Sequence, residues 1–514
     1  MKASQLTADK YFRAVKLPSD IEISGICPDS ERVRAGELFV AVEGLRRDGH
    51  EFAERATARG AVAILVTEDS LRDGRVDADK LPAAIFACED TREGCARLFS
   101  AFYGHPSRKM KMVGVTGTNG KTSVSSLIYE ILTRAGMRCG LIGTTGAYSR
   151  NGSIDIRSSD PEANMTTPDP EELYAILAKM AEDGTEAVVM EVTSHALALR
   201  KVVPIDFEIG VFTNLTRDHL DFHGDMEGYF AEKSRLFDSC RTAVINYDDR
   251  YGRMLADNIK KRDQGEKLPE SLLLCSSEGR ECNILAEDVR LCGSLGIEYK
   301  LISRDMRLRV RSPLSGEFNV MNTLQAAAVC ARLGVSAGCV KDALAHFTGS
   351  PGRLERVRLG GGADISVYID YAHTPDALEN VIRCVRGFAS ADQRVTVLFG
   401  CGGDRDREKR PIMGNIASTM ADRVIITSDN SRSERAEDII GEIISGIDPH
   451  FTAGCVVIPD RREAIRSAVR TALPREIILL CGKGHEKYEI DREGKRPFSE
   501  KDIVKEAYLK YRGE

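Results

Sequence analysis

The chain has 514 residues, a formal net charge of −6 and 29% charged side chains. That length allows two to four domains with substantial cores, and the charge balance argues against a general nucleic-acid surface. No run is apolar enough to span a membrane, Met1 to Thr7 lack a signal core, and the 14 cysteines form no C-x-x-C pair, which fits reduced thiols in a cytoplasmic protein.

Residues 1–108 read as a first, small α/β domain. A turn at Arg34, Ala35, Gly36 and Glu37 leads into a strand over 38–42. A helix over 52–59 and a buried strand over 61–66 follow. A strand over 83–87 then precedes a helix over 91–103, and Gly104, His105, Pro106 and Ser107 read as a linker.

The second domain, 109–347, opens on a buried strand over 109–113. Next comes Val113-Gly114-Val115-Thr116-Gly117-Thr118-Asn119-Gly120-Lys121-Thr122-Ser123, and Leu127, Ile128, Ile131 and Leu132 recur at helical spacing behind it. A Gly-rich turn between strand and helix, ending in Lys-Thr, fits a phosphate loop. Small residues let backbone N–H groups approach phosphates, and the helix N-terminus favours negative charge. Lys121 adds a point charge, and the Thr122 hydroxyl can ligand Mg²⁺. The general pattern has Gly where Val115 stands, so the plain alternative is a Gly-rich turn with an incidental Lys-Thr pair. A strand and turn over 139–146, a helix over 171–181, and buried strands over 187–192 and 209–214 come next. This alternation implies a mostly parallel sheet with ligands beyond its carboxyl ends. Residues 280–312 read as short β-rich segments and 319–333 as an Ala-rich helix.

The third domain, 348–514, repeats the pattern, with strands over 365–370, 395–399, 424–427, 455–458 and 476–481. Gly-rich turns lie at 400–405 and 482–485. The fold class is therefore α/β with three domains: an N-terminal domain, a central P-loop nucleotide-binding sheet and a Rossmann-like C-terminal domain.

Several residues at strand ends carry chemistry. Glu191 is placed to hold Mg²⁺, or else to cap a helix. Asn214 to His223 packs polar groups behind a strand, and His219 with Asp218 and Glu191 offers imidazole and carboxylate donors to a metal. Lys233, beside Glu232 in a helix, reads from pattern alone as a solvated lysine. Asp370 accepts from a ribose or adenine, or caps a helix beginning at Pro375 and Asp376. Arg432 reads a carboxylate in a bidentate fork, or forms a surface salt bridge.

With these segments assembled, the chain resembles the Mur ligase family from end to end. The resemblance rests on Thr116 to Thr122, which is that family's form of the phosphate loop. It rests also on Glu191-Val192-Thr193-Ser194-His195, Asn214 to His219, Gly316 to Asn322, Gly352-Arg353-Leu354-Glu355 and Asp370-Tyr371-Ala372-His373. Asp29-Ser30 with Ala35 to Ala41 is similar to the uridine-nucleotide domain of the enzyme adding the third amino acid, which sets the chain apart from folylpolyglutamate synthases.

The resemblance implies an ATP-dependent acid–amino acid ligase of peptidoglycan synthesis. It would add meso-2,6-diaminopimelate to UDP-N-acetylmuramoyl-L-alanyl-D-glutamate through an acyl phosphate. It further implies ATP contacts from Thr116, Gly117, Thr118, Asn119, Gly120, Lys121, Thr122, Asn322, Arg353 and Asp370. Mg²⁺ ligation is implied from Thr122, Glu191, His219 and Lys233, with Lys233 as the carbamate N6-carboxylysine, and Lys121, Lys233 and His219 would be the catalytic set. Ser30, Asn119, Thr166, Thr167, Thr193 and Lys201 would bind the nucleotide substrate. Arg405, Asp429, Asn430, Ser431, Arg432, Gly482 and Glu486 would bind the incoming amino acid. Two departures stand out. Ser431 replaces the Pro of the diaminopimelate-type Asp-Asn-Pro-Arg run, and Leu199 and Lys201 stand where the family often has Gln and Arg, with Arg200 between them.

The competing readings are an L-lysine-adding ligase of the same family and, from another class, a P-loop ATPase or regulatory nucleotide-binding protein. A monomer without nucleic-acid partners or a membrane span is expected.

Overall fold

The computed structural model describes residues 1–17, 19–44, 47–155, 165–261, 269–304, 306–360 and 362–512. The chain is α/β, as expected, and forms two compact units. One comprises residues 1–114, 138–208 and 235–240, and the other 115–137, 209–234 and 241–514. The division falls inside the strands Lys111–Thr116 and Phe207–Phe212. Among the described residues, no helix is long and apolar enough to cross a membrane.

In the first unit, Gly25–Cys27, Glu37–Val40, Ala63–Thr67 and Ala84–Cys88 pair in parallel, and Arg13–Lys16 closes the edge antiparallel to Ala84–Cys88. Ala63–Thr67 and Ala84–Cys88 are buried along their whole length, so their unbroken apolar runs are those of parallel strands covered on both faces. The same unit pairs Ala187–Glu191 in parallel with Cys139–Gly143, which turns into the antiparallel strand Gly146–Ser149. The segment expected as a linker over 104–107 lies within a longer connection between the helix Thr91–Phe102 and the next strand. Pro106–Lys109 winds as a 3₁₀ turn behind a left-handed His105, and the next strand starts at Lys111.

In the second unit, helix Lys121–Arg134 packs against Phe318–Arg332. The expected β-rich region is a hairpin edge. Ser271–Ser276 pairs in parallel with Ile284–Leu291, after which Ile297–Ser303 and Arg307–Ser312 add antiparallel. The C-terminal sheet runs Glu355–Arg356, Ser366–Asp370, Ile477–Cys481, Val395–Phe399, Arg423–Ile426, Cys455–Val457, parallel except at its first edge. Its loops at 370–374, 400–406, 427–432 and 482–486 therefore share the carboxyl edge. The hairpin Tyr488–Asp491/Gly494–Pro497 and helix Glu500–Tyr511 complete the chain.

One close approach in this unit requires glycine. A Cβ on Gly352, whose φ is +68°, would lie 2.2 Å from His485 N and 2.4 Å from Gly484 C. Backbone on both sides cannot yield as a side chain would. Gly352→Ala is expected to destabilise the C-terminal region by about 2–4 kcal/mol, read as a lowered urea midpoint. An unchanged midpoint would show that the two segments part readily.

Candidate functional site

The phosphate loop in the second unit takes its shape from glycine geometry and from the 213–216 segment. Gly117 and Gly120 have positive φ, and a Cβ on Gly117 would overlap Thr213 Oγ1 at 1.9 Å. Thr213 Oγ1 donates to Asn119 O at 2.6 Å, and Asn119 N–H donates to Asn214 Oδ1 at 2.9 Å. Lys121, at the first helical position, folds back so that Nζ donates to Gly117 O (3.0 Å) and Thr118 O (2.9 Å). Its charge thus sits over the loop's mouth. A Cβ on Gly120 would meet Asn322 Oδ1 at 2.8 Å, which puts Asn322 beside the loop.

Lys233 corrects the solvated reading drawn from pattern alone. It lies in the last turn of helix Met226–Ser234 at 1% exposure, with Nζ 4.7 Å from the Tyr229 ring centroid and donating to Gly117 O at 2.8 Å. Burial, with the nearby Lys121 charge, pushes its pKa well below the usual lysine range, against the pull of Asp218. A buried amine whose charged form is disfavoured therefore abuts the phosphate loop.

Asp218, His219 and His373 converge in the same unit. His219 Nε2 lies 3.2 Å and His373 Nε2 3.8 Å from Asp218 Oδ2. Burial would raise the pKa of Asp218, but His219, Lys409 and His373 together hold it well below the usual carboxylate range. An imidazole steadied by a carboxylate is the usual support of a metal-binding histidine. The C-terminal region also reaches the loop directly. Arg353 Nη2 donates to Thr122 Oγ1 at 3.0 Å, its guanidinium 4.9 Å from the Tyr371 ring centroid. Asn119 Nδ2 donates to Asp376 Oδ2 at 2.9 Å. Asp370 does not cap the helix Pro375–Phe388, which Thr374 caps through Ala377 N–H; its oxygens instead accept from Leu354 N–H (2.6 Å) and Ala372 N–H (2.8 Å).

The expected amino-acid pocket gathers on the carboxyl edge of the C-terminal sheet. Arg432 has φ +49° and donates through Nη1 to the carbonyls of Gly403 (2.8 Å) and Asn430 (3.4 Å), so it is not the surface salt bridge of the alternative reading. Burial and the Arg432 charge depress the Arg405 pKa. A Cβ on Gly482 would lie 2.6 Å from Asp429 Oδ2. Asn430 Nδ2 donates to Glu486 Oε2 at 2.8 Å, and Tyr371 Oη to Glu486 Oε1 at 3.4 Å. Buried Ser431 follows within the loop. Sequence reasoning assigned no role to Lys483 or Tyr371. Lys483 stood in a Gly-Lys-Gly-His turn at a strand end, the signal that could have found it.

In the first unit, Glu191 accepts from Thr144 N–H at Oε1 and from Thr144 Oγ1 at Oε2, both at 2.9 Å. A Cβ on Gly143 would come within 2.3 Å of Glu191 Oε1, so a larger residue there would displace the Glu191 carboxylate. Thr167 Oγ1 donates to Glu191 O and accepts from Thr193 N–H, and Thr166 Oγ1 lies 3.1 Å from Thr144 Oγ1. Four threonines thus surround the strand end. Lys201 is 6% exposed and pairs with Asp169 Oδ1 at 2.7 Å. Arg200 beside it is left-handed. Ser30 is buried behind the strand Gly25–Cys27.

Three family profiles match the chain: "Mur ligase family, catalytic domain" over 22–103, "Mur ligase middle domain" over 115–330 and "Mur ligase, glutamate ligase domain" over 352–484. A UDP-N-acetylmuramoyl-L-alanyl-D-glutamate--2,6-diaminopimelate ligase from Trichormus variabilis is 39% identical over 512 residues, covering 99% of both chains. One from Clostridioides difficile is 40% identical over 513 residues, covering 99% of this chain and 100% of the relative. Among solved structures, a ligase of that same name superposes with a TM-score of 0.64 at 30% identity, over 96% of this chain and 99% of the other. A MurF ligase from Thermotoga maritima in complex with ADP shares the fold, with a TM-score of 0.58 at 19% identity over 95% and 97% of the chains.

Proposed function

This chain belongs to the Mur ligase family, and from that premise we propose that it joins meso-2,6-diaminopimelate to UDP-N-acetylmuramoyl-L-alanyl-D-glutamate at the cost of ATP. The γ-phosphoryl group passes to the D-glutamate side-chain carboxylate. The amine of the incoming amino acid then attacks the acyl phosphate, and the tetrahedral adduct collapses with loss of phosphate. A carboxylate is a poor electrophile and repels ATP, so the chain must neutralise charge and hold the groups in line. Lys121 and the loop N–H groups serve the phosphates. Arg353 orients the Thr122 hydroxyl, and the threonine cluster around Glu191 serves the nucleotide substrate.

Mg²⁺, when bound, would screen phosphate charge and polarise the transferring group. The donors suit a hard cation: the Thr122 hydroxyl, His219 steadied by Asp218, and Lys233 as a carbamate, with Glu191 a candidate carboxylate in its own unit. A neutral, buried Lys233 amine is the form that attacks CO₂, losing a proton to leave an anionic carbamate.

The observation that carries the choice of amino acid is the joining of Arg432 and Glu486 through Asn430. A guanidinium fork and a carboxylate in one pocket match an amino acid whose far end bears both a carboxylate and an ammonium. Replacement of Pro by Ser431 does not slacken this loop. Ile490 accepts from Arg432 N–H at 3.2 Å and donates to Asn430 Oδ1 at 3.0 Å, gripping the loop on either side of Ser431.

The test is phosphate release from ATP with the nucleotide dipeptide, adding diaminopimelate or L-lysine separately. Release with diaminopimelate alone is expected. Release with lysine alone assigns the lysine-adding reaction, and release needing neither assigns a plain ATPase. Arg432→Ala is expected to raise the KM for diaminopimelate about 10–100-fold by leaving the distal carboxylate unpaired. An unchanged KM would remove Arg432 from recognition.

A further inference from the structure

Lys483 is fully buried between the last strand of the C-terminal sheet and the loop that follows it, at 0% exposure. Its Nζ donates to Asn430 Oδ1 at 2.8 Å and lies 3.3 Å from Glu486 Oε2 and 3.5 Å from Asp429 Oδ1. A buried ammonium needs its three protons accepted, and these three atoms accept them.

The arrangement determines what is left for a ligand. Asn430 Oδ1 accepts from Lys483 and from Ile490 N–H, so its Nδ2 must face Glu486, where it donates to Oε2. Glu486 Oε2 is thereby occupied twice. Among the described residues, Oε1 carries only the long 3.4 Å contact from Tyr371 and remains the accepting edge. Asp429 is also committed, with Oδ1 taking Asn430 N–H at 2.6 Å. Without Lys483, two buried acids bridged by one amide would face each other, and one would take up a proton. A neutral Glu486 would no longer attract a cation.

We infer that Lys483 is a positioning residue of the amino-acid pocket: it holds Asn430 and Glu486 in the one arrangement that presents Glu486 Oε1 to an ammonium at the far end of the substrate, while Arg432 takes the carboxylate there. The inference rests on the ligase reading above.

The test compares Lys483→Met, Glu486→Gln and the double variant, using the amino acid that the wild-type enzyme consumes. Lys483→Met is expected to raise the KM for that amino acid about 10-fold or more, leaving KM for ATP and the nucleotide dipeptide within about twofold. Because Lys483 acts through Glu486, the double variant is expected to be no worse than Glu486→Gln. An unchanged amino-acid KM in Lys483→Met, a rise for all three substrates together, or additive effects would each overturn the inference. If Lys483→Met does not fold, Glu486→Gln still decides, since an unchanged amino-acid KM in that variant overturns the inference. Wild-type protein that releases no phosphate with any amino acid overturns the ligase reading and this inference together. Wild-type release with an unaffected Lys483→Met overturns this inference alone.

Discussion

Lys121→Met is expected to lower phosphate release and amide formation by about 10³-fold while leaving the fold in place. The methionine chain fills the same volume. What disappears is a positive charge held at the mouth of the phosphate loop by two carbonyls, those of Gly117 and Thr118. Those carbonyls fix where the ammonium stands before ATP arrives, so the enzyme spends little reorganisation when charge develops on the transferring group. The loss should appear in kcat more than in the KM for ATP, because the loop N–H groups and the helix N-terminus still bind phosphate. A variant with normal kcat and weakened ATP binding would demote Lys121 from catalysis to binding.

Lys233→Met is expected to cost about 10²–10³-fold in kcat for a different reason. Lys233 is a cation by sequence, but its environment disfavours the charge, with the amine lodged against Gly117 O and the Tyr229 ring. Its use to the reaction is proposed to begin when CO₂ converts it to an anion. Wild-type activity should therefore fall in CO₂-depleted buffer and return with bicarbonate, whereas Lys233→Met should ignore both. A carbamate signal from ¹³C-bicarbonate should appear in the wild type and vanish in the variant. Wild-type activity indifferent to bicarbonate, with no such signal, would leave Lys233 as a packing residue.

These two lysines mark what was legible in the sequence and what was not. Lys121 announces itself, since strand, glycines and helix are local and the chemistry follows from their order. Lys233 does not, because its burial involves Tyr229 on its own helix and a loop 116 residues earlier in the chain. The central strands were readable for the same local reason, their unbroken apolar runs. The hairpin edge over 284–312 showed its β character but not its antiparallel pairing, which depends on register rather than composition. Asp370 was left open between capping and ligand binding, and its two backbone partners come from segments on either side of it. Lys483 was hidden because a Gly-Lys-Gly-His turn says nothing of Asn430, 53 residues away.

Ile490 grips the loop proposed to choose the amino acid through its own amide and carbonyl, not through its side chain. The loop's aim is therefore insured against point substitution along Tyr488–Asp491, because any residue but proline at 490 carries the same two groups. It is not insured against a change in length. Losing or gaining a single residue between 486 and 490 would slide the clasp along the chain and release residues 430 and 432 at once. Related chains can thus drift freely in the letters of this hairpin while its spacing stays fixed, and engineering of substrate choice should alter side chains there and leave the count alone.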